Sequence, residues 1–236
     1  MKAFKRSWMI FGVAFLMMAI FMLLIVALKG QHFLIFSFSC LVVSMLPFYW
    51  RFETRDIRAR EIIFIAVLAA IAAVTRVPFA PLPSVQPTSF VIIVSALVLG
   101  PESGFIVGST AAIVSNMFLG QGPWTPWQMF CWGMMGVTAG LIGRYQWAQN
   151  KYLLCIFGFV WGFIFGWTMN LWYFVAYVNP LTIKTFIAAY LASFYFDLAH
   201  ALSNVFFIFF FYQSWYRIIS RFKVKYGLLV TEDAHL

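Results

Sequence analysis

The chain has 236 residues, of which 64% are hydrophobic and only 10% charged, with a net charge of +9. Soluble domains are usually about 45–50% apolar and about 25% charged, so this chain lacks the polar surface to cover itself in water. The excess basic residues flank apolar runs, where they orient a membrane protein, and nucleic-acid binding is not expected. Crossing about 30 Å of hydrocarbon takes about 20 apolar residues as a helix. Lipid satisfies no open backbone group, and the runs are continuous rather than alternating, which selects helices over a barrel. The expected class is therefore all-α integral membrane.

Eight helices are predicted. The first covers residues 8–28, after a basic start at Lys2, Lys5 and Arg6. It is too long for a signal-peptide core and no A-x-A site follows, so it is expected to be retained. The second covers 33–50, with Pro47 a candidate kink. Together residues 1–50 read as a two-helix N-terminal membrane extension. Residues 51–61 carry four arginines and three acids, the largest composition shift in the chain, and read as a charged cytoplasmic linker. A six-helix core follows over 62–216, and 217–236 is a basic cytoplasmic tail.

The core opens with a helix over 62–75. Four prolines between Arg76 and Ser89 stop it, so that stretch is an ordered or partly re-entrant loop. A short helix over 90–99, beginning near Thr88, turns at Gly100-Pro101. The next covers 104–119 and is broken by Gly120-Gln121-Gly122-Pro123-Trp124-Thr125-Pro126. The last three cover 127–142, 152–175 and about 188–216. Cys40, Cys131 and Cys155 all lie inside apolar runs and show neither a disulfide framework nor a zinc spacing.

With the N-terminus inside, thirteen of the sixteen Lys and Arg fall in cytoplasmic segments. Only Lys29, Arg76 and Lys184 fall outside. This asymmetry places both ends in the cytoplasm. It also places the two Pro- and Trp-rich loops on the outer face, with Arg76, Gln86, Thr88, Gln121, Trp124, Trp127 and Gln128 as candidate ligand groups. Stiff loops lose less entropy on ordering and so favour binding. Headgroup anchoring is the competing role for the two tryptophans.

Asp197, His200 and Asn204 fall on one face of the last helix, at membrane depth. A carboxylate there costs on the order of 2.5–3.5 kcal/mol, so it needs a partner or a wet cavity. Asn170 and Tyr173 on the preceding helix are further lining candidates. Glycines at 100, 104 and 108, and at 158, 162 and 166, allow close helix contact within the chain. The Ala66/Ala70 and Ala69/Ala73 rows have the same spacing and suit either internal packing or an outward docking face. The sequence contains no GxxxxGK[ST] phosphate loop, HExxH or GxSxG motif. Neither an enzyme nor a metal site is expected. A proton-coupled transporter built on Asp197 and His200 is the alternative from a different class.

The core resembles the substrate-binding S-component of energy-coupling factor (ECF) vitamin transporters. The A-x-x-x-A row, the long loop after it and the run Gly-Gln-Gly-Pro-Trp-Thr-Pro-Trp at 120–127 carry the resemblance. The resemblance implies a vitamin held beneath the outer loops. Arg76, Gln86, Thr88, Gln121, Trp124, Trp127, Gln128, Asn170, Tyr173, Asp197 and His200 would line its site. It also implies docking through Ala66, Ala69, Ala70 and Ala73 onto a transmembrane coupling subunit with two cytoplasmic ATPases. No catalytic cofactor is implied, and the vitamin is cargo. The chain looks most like the cobalamin-specific type, and another small vitamin is the alternative. The first two helices depart from the usual six.

Overall fold

The computed structural model describes residues 33–54 and 58–228. The helix expected over 8–28 and the end of the basic tail lie outside the described residues. Among those described, seven α-helices and one 3-10 turn make up the regular structure, with no strand. They are α1 (Phe33–Glu53), α2 (Ala59–Val74), α3 (Thr88–Leu99), α4 (Pro101–Leu119), α5 (Thr125–Ile142), α6 (Lys151–Tyr177) and α7 (Ile183–Lys225).

The centre is α3, all twelve of whose residues are buried. It touches α2, α4, α5 and α7. At about 1.5 Å per residue it is only about 18 Å long, and it survives as a short element because protein surrounds it. Proline at 87 precedes it. Gly100, at φ +93°, reverses the chain directly into α4. That left-handed conformation suits a residue without a Cβ.

Two antiparallel pairs flank α3. In the first, α4 and α5 approach at backbone contact: a Cβ on Gly136 would collide with the Gly104 carbonyl, and one on Gly108 with the Trp132 carbonyl. In the second, α6 and α7 close in the same way, Gly162 against the Ala201 backbone and Gly158 against Ile208. Both glycine rows therefore serve packing within the chain.

Both α6 and α7 are long and apolar enough to cross a membrane. The last helix runs 43 residues, about 65 Å, against about 30 Å of hydrocarbon. It starts five residues earlier than expected because Thr182 and Thr185 form a capping box. It also continues through the basic segment to Lys225, so the tail expected from 217 begins as helix. Charge ends a membrane span but not a helix, since Lys and Arg are good helix formers.

The first described helix packs on the core. Phe48 stacks on Phe105 at 4.4 Å and the Tyr49 hydroxyl donates to Ser109 Oγ at 2.8 Å. Arg51, at the start of the expected charged linker, pairs with Glu102 at 2.9 Å. The loop over 75–87 is a chain of turns lying on α7. Phe79 meets Phe207 edge-on, and the Gln86 N–H donates to Ser203 Oγ at 3.0 Å.

Candidate functional site

Arg76 lies two residues beyond α2, where the proline loop begins. Its Nη1 donates to Ser115 Oγ at 2.9 Å and to Asn116 Oδ1 at 2.7 Å, both on the last turns of α4. The guanidinium also stands 5.0 Å from the Trp132 ring centroid, within cation–π range. Burial draws it down to about 10 from 12.5, so it remains a cation at neutral pH. Asn116 extends the network into α5. Its Nδ2 donates to Gln128 Oε1 at 2.7 Å and to Thr125 Oγ1 at 3.0 Å. Thr125 in turn donates to Gln121 Oε1 at 2.9 Å. The sequence run Gly-Gln-Gly-Pro-Trp-Thr-Pro-Trp-Gln is thus the hinge of α4 and α5, and its polar side chains brace Arg76 through Asn116.

Trp132 joins this network to the centre. Its Nε1 donates to Ser89 Oγ at 3.2 Å, and Ser89 Oγ is 2.9 Å from His200 Nε2. The Phe165 ring stacks on Trp132 at 4.9 Å and meets the His200 ring edge-on at 5.0 Å. One helical turn from His200, Asp197 receives Asn170 Nδ2 and Ser193 Oγ, each at 3.1 Å, on a single carboxylate oxygen. The other oxygen faces Gly166, where a Cβ would collide with it. Aromatic rings cap the end of the bundle beside the 120–124 loop: Trp124 meets Trp172 edge-on at 6.1 Å, and Trp172 meets Tyr177 at 5.4 Å.

The predicted residues divide clearly. Arg76, Gln121 and Gln128 fall in one hydrogen-bonded network with Asn116. His200 reaches it through Ser89 and Trp132, and Asp197 with Asn170 forms the adjoining cluster. Trp124 belongs to the aromatic cap, and Gln86 is pinned to α7. Thr88 is spent on packing, donating to the Ala72 carbonyl at 2.9 Å. Trp127 is buried in the core. Tyr173 is about half exposed, stacks on Tyr177, and is not brought to the network. Asn204 shares the face of Asp197 and His200 but ties α7 to the Gly158 carbonyl of α6.

Ser115, Trp132, Phe165 and Ser193 were not predicted. One signal was available for Trp132: it lies four residues after Gln128, on the same face of α5. Serines at helix contacts carry no such mark. Of the alanine rows, Ala66 and Ala70 are exposed on α2, whereas Ala69 and Ala73 are buried against the chain's own core.

Three buried polar atoms of this region have no hydrogen-bond partner: Arg76 Nε, Gln86 Oε1 and Trp172 Nε1. Each such atom costs about 1–3 kcal/mol when it is left unpaired. Chemically the arrangement brings together a cation, neutral amides and hydroxyls, and indole rings. Among the described residues no group of three or more His, Cys, Asp or Glu gathers as a metal site.

A family model described as ECF transporter, substrate-specific component, matches residues 60–210, well over half of the chain. No curated protein and no solved structure matches.

Proposed function

Because the chain belongs to the ECF transporter substrate-specific component family, we propose that it captures a vitamin outside the cell for an ATP-driven importer. Members of this family are binding subunits of transporters rather than enzymes, and they work with a module of transmembrane and ATPase subunits. The observation that carries the reading here is the network around Arg76. It gathers a cation, amides and indoles beneath two proline-held loops and leaves three buried polar atoms without partners. Arg76, Gln86, Gln121, Trp124, Gln128, Asn170, Asp197 and His200 are the proposed site residues.

The charge asymmetry supports a location of these loops outside, with both chain ends in the cytoplasm. Cobalamin is the proposed cargo. A corrinoid needs a broad aromatic rim, and Trp124, Trp172 and Tyr177 supply one at the outer end. Another vitamin of smaller size is the alternative cargo.

The proposed docking face is the outer side of α2. Ile63, Ala66, Val67 and Ala70 are exposed there. Beside them, α2 and the end of α7 enclose an almost wholly apolar groove of about 490 Å³, lined by Phe64, Leu68, Trp215 and Phe222 among others. Helix α1 covers α4 on another side of the molecule, through Phe48, Tyr49 and Arg51. Among the described residues no helix covers the α2 face, and we assign it to the coupling subunit.

The test is a thermal-shift screen of the purified chain against vitamins. A ligand that binds only the folded state raises the midpoint by an amount that grows with its concentration. A concentration-dependent rise with cobalamin or another vitamin is expected, and no shift with any of them would sink the reading. One observation favours a second reading, proton-coupled transport: Asp197 is buried in the α6–α7 contact with neutral donors around it. That reading requires uptake by the chain alone, abolished in Asp197→Asn.

A further inference from the structure

Arg76 is a half-buried cation with only neutral neighbours. Among the described residues it forms no ion pair; its partners are Ser115, Asn116 and the face of Trp132. The carboxylate one helical turn from His200, Asp197, receives Asn170 and Ser193. Desolvation is what lowers the Arg76 guanidinium, with no acid raising it back. A charge placed this way destabilises the empty protein unless something else balances it.

The guanidinium is also held at a fixed angle. Two bonds at Nη1 and the stacking on Trp132 fix the plane, and the buried Nε–H is left without an acceptor. A planar fork fixed at Nη1, with a buried Nε–H still unbonded, is suited to taking an oxyanion. The Trp172 Nε1–H is a second buried donor without an acceptor, and Gln86 Oε1 is a buried acceptor without a donor. Resting on the binding role proposed above, we infer that the ligand carries an anionic oxygen group, carboxylate or phosphate, and that Arg76 reads it. Gln86 takes a donor on the same ligand, and the indoles hold its apolar part.

The experiment uses the full chain in detergent and three pairs of probes that differ in the anionic group. Pantothenate is paired with panthenol and biotin with biotin amide, for a carboxylate. Cobalamin is paired with cobinamide, which lacks the phosphodiester together with its ribose and base. Binding is measured by calorimetry for the wild type, Arg76→Gln and Arg76→Lys, and the ligand-free melting point of each is recorded. The expected result is that one anionic member binds roughly tenfold to a hundredfold more tightly than its partner. That ratio should collapse in Arg76→Gln and recover in part in Arg76→Lys, and the ligand-free melting point of Arg76→Gln should be unchanged or higher.

Equal binding of both members of the preferred pair, unaffected by Arg76→Gln, overturns the inference and leaves the capture role standing. A marked fall in the ligand-free melting point of Arg76→Gln, or its failure to fold, also overturns it, since Arg76 would then be a structural clamp. Binding of none of the six probes counts against the capture role itself.

Discussion

Asn116 is the node through which α4, α5 and the loop after α2 are joined. Its Oδ1 receives Arg76 and its Nδ2 supplies both Gln128 and Thr125. In Asn116→Ala the Gln128 carbonyl and one Arg76 donor lose their partner, each at a cost of about 1–3 kcal/mol. A lower melting point and weaker ligand binding are expected together, measured on the same preparation. Asn116→Asp separates the two effects. The new carboxylate gives Arg76 a counter-ion inside the protein. Binding of an anionic ligand should fall more than tenfold by calorimetry, a change of about 1.4 kcal/mol, while the fold loses less than in the alanine variant. Equal binding by Asn116→Asp and wild type would remove Arg76 from ligand recognition. Arg76 and Gln128 stood out in the sequence as polar groups of the two loops. Their junction at Asn116 did not, because Arg76 is forty positions away and only the fold brings it to α4.

Among the elements, the α4–α5 pair is the tightest joint. Gly136 faces the Gly104 backbone and Gly108 faces the Trp132 carbonyl, so neither position can give way by rotating a side chain. Overpacking a filled contact typically costs about 1–3 kcal/mol. Gly136→Ala should therefore lower the melting point and widen the site, because Trp132, Gln128 and Thr125 all ride on α5. Gly122→Ala is the control. Its new Cβ would meet only the Trp124 side chain, which can move. Equal loss in both variants would refute backbone contact as the cause. The α1–α4 clamp makes a separate prediction. Arg51→Ala and Glu102→Gln should each loosen α1, and a double-mutant cycle on stability should show a coupling of about 1 kcal/mol or more. Additive losses would mean that Phe48 and Tyr49, not the ion pair, hold α1 in place.

At the scale of the whole molecule, the two alanine rows separate binding from coupling. Ala66→Trp and Ala70→Trp enlarge an exposed face, so vitamin binding should persist while ATP-driven uptake with the partner module stops. Ala69→Trp and Ala73→Trp force an indole into positions at 2% and 0% exposure, and should prevent folding or binding altogether. Stable, binding-competent Ala69→Trp protein with blocked uptake would instead assign the docking role to the buried row. The spacing of four residues made all four alanines equivalent in the sequence. Their difference comes from the rotation of α2 against α3 and α4, which no local pattern encodes.

The sequence by itself determined the class and the punctuation of this protein. Composition required helices in lipid, and proline and glycine marked where α2, α3 and α4 end, because those residues act on the backbone locally. It also marked the Gly-Gln-Gly-Pro-Trp-Thr-Pro-Trp run and the membrane-depth Asp197 as unusual. Only the tertiary structure decided which of these groups meet. It spent Thr88 and Trp127 on packing, turned Tyr173 outward, and brought in Ser115, Trp132, Phe165 and Ser193, which no motif distinguishes. The reason is physical. A side chain's type limits the bonds it can make, but the rotation and contact of helices decide whether a partner stands within about 3 Å of it.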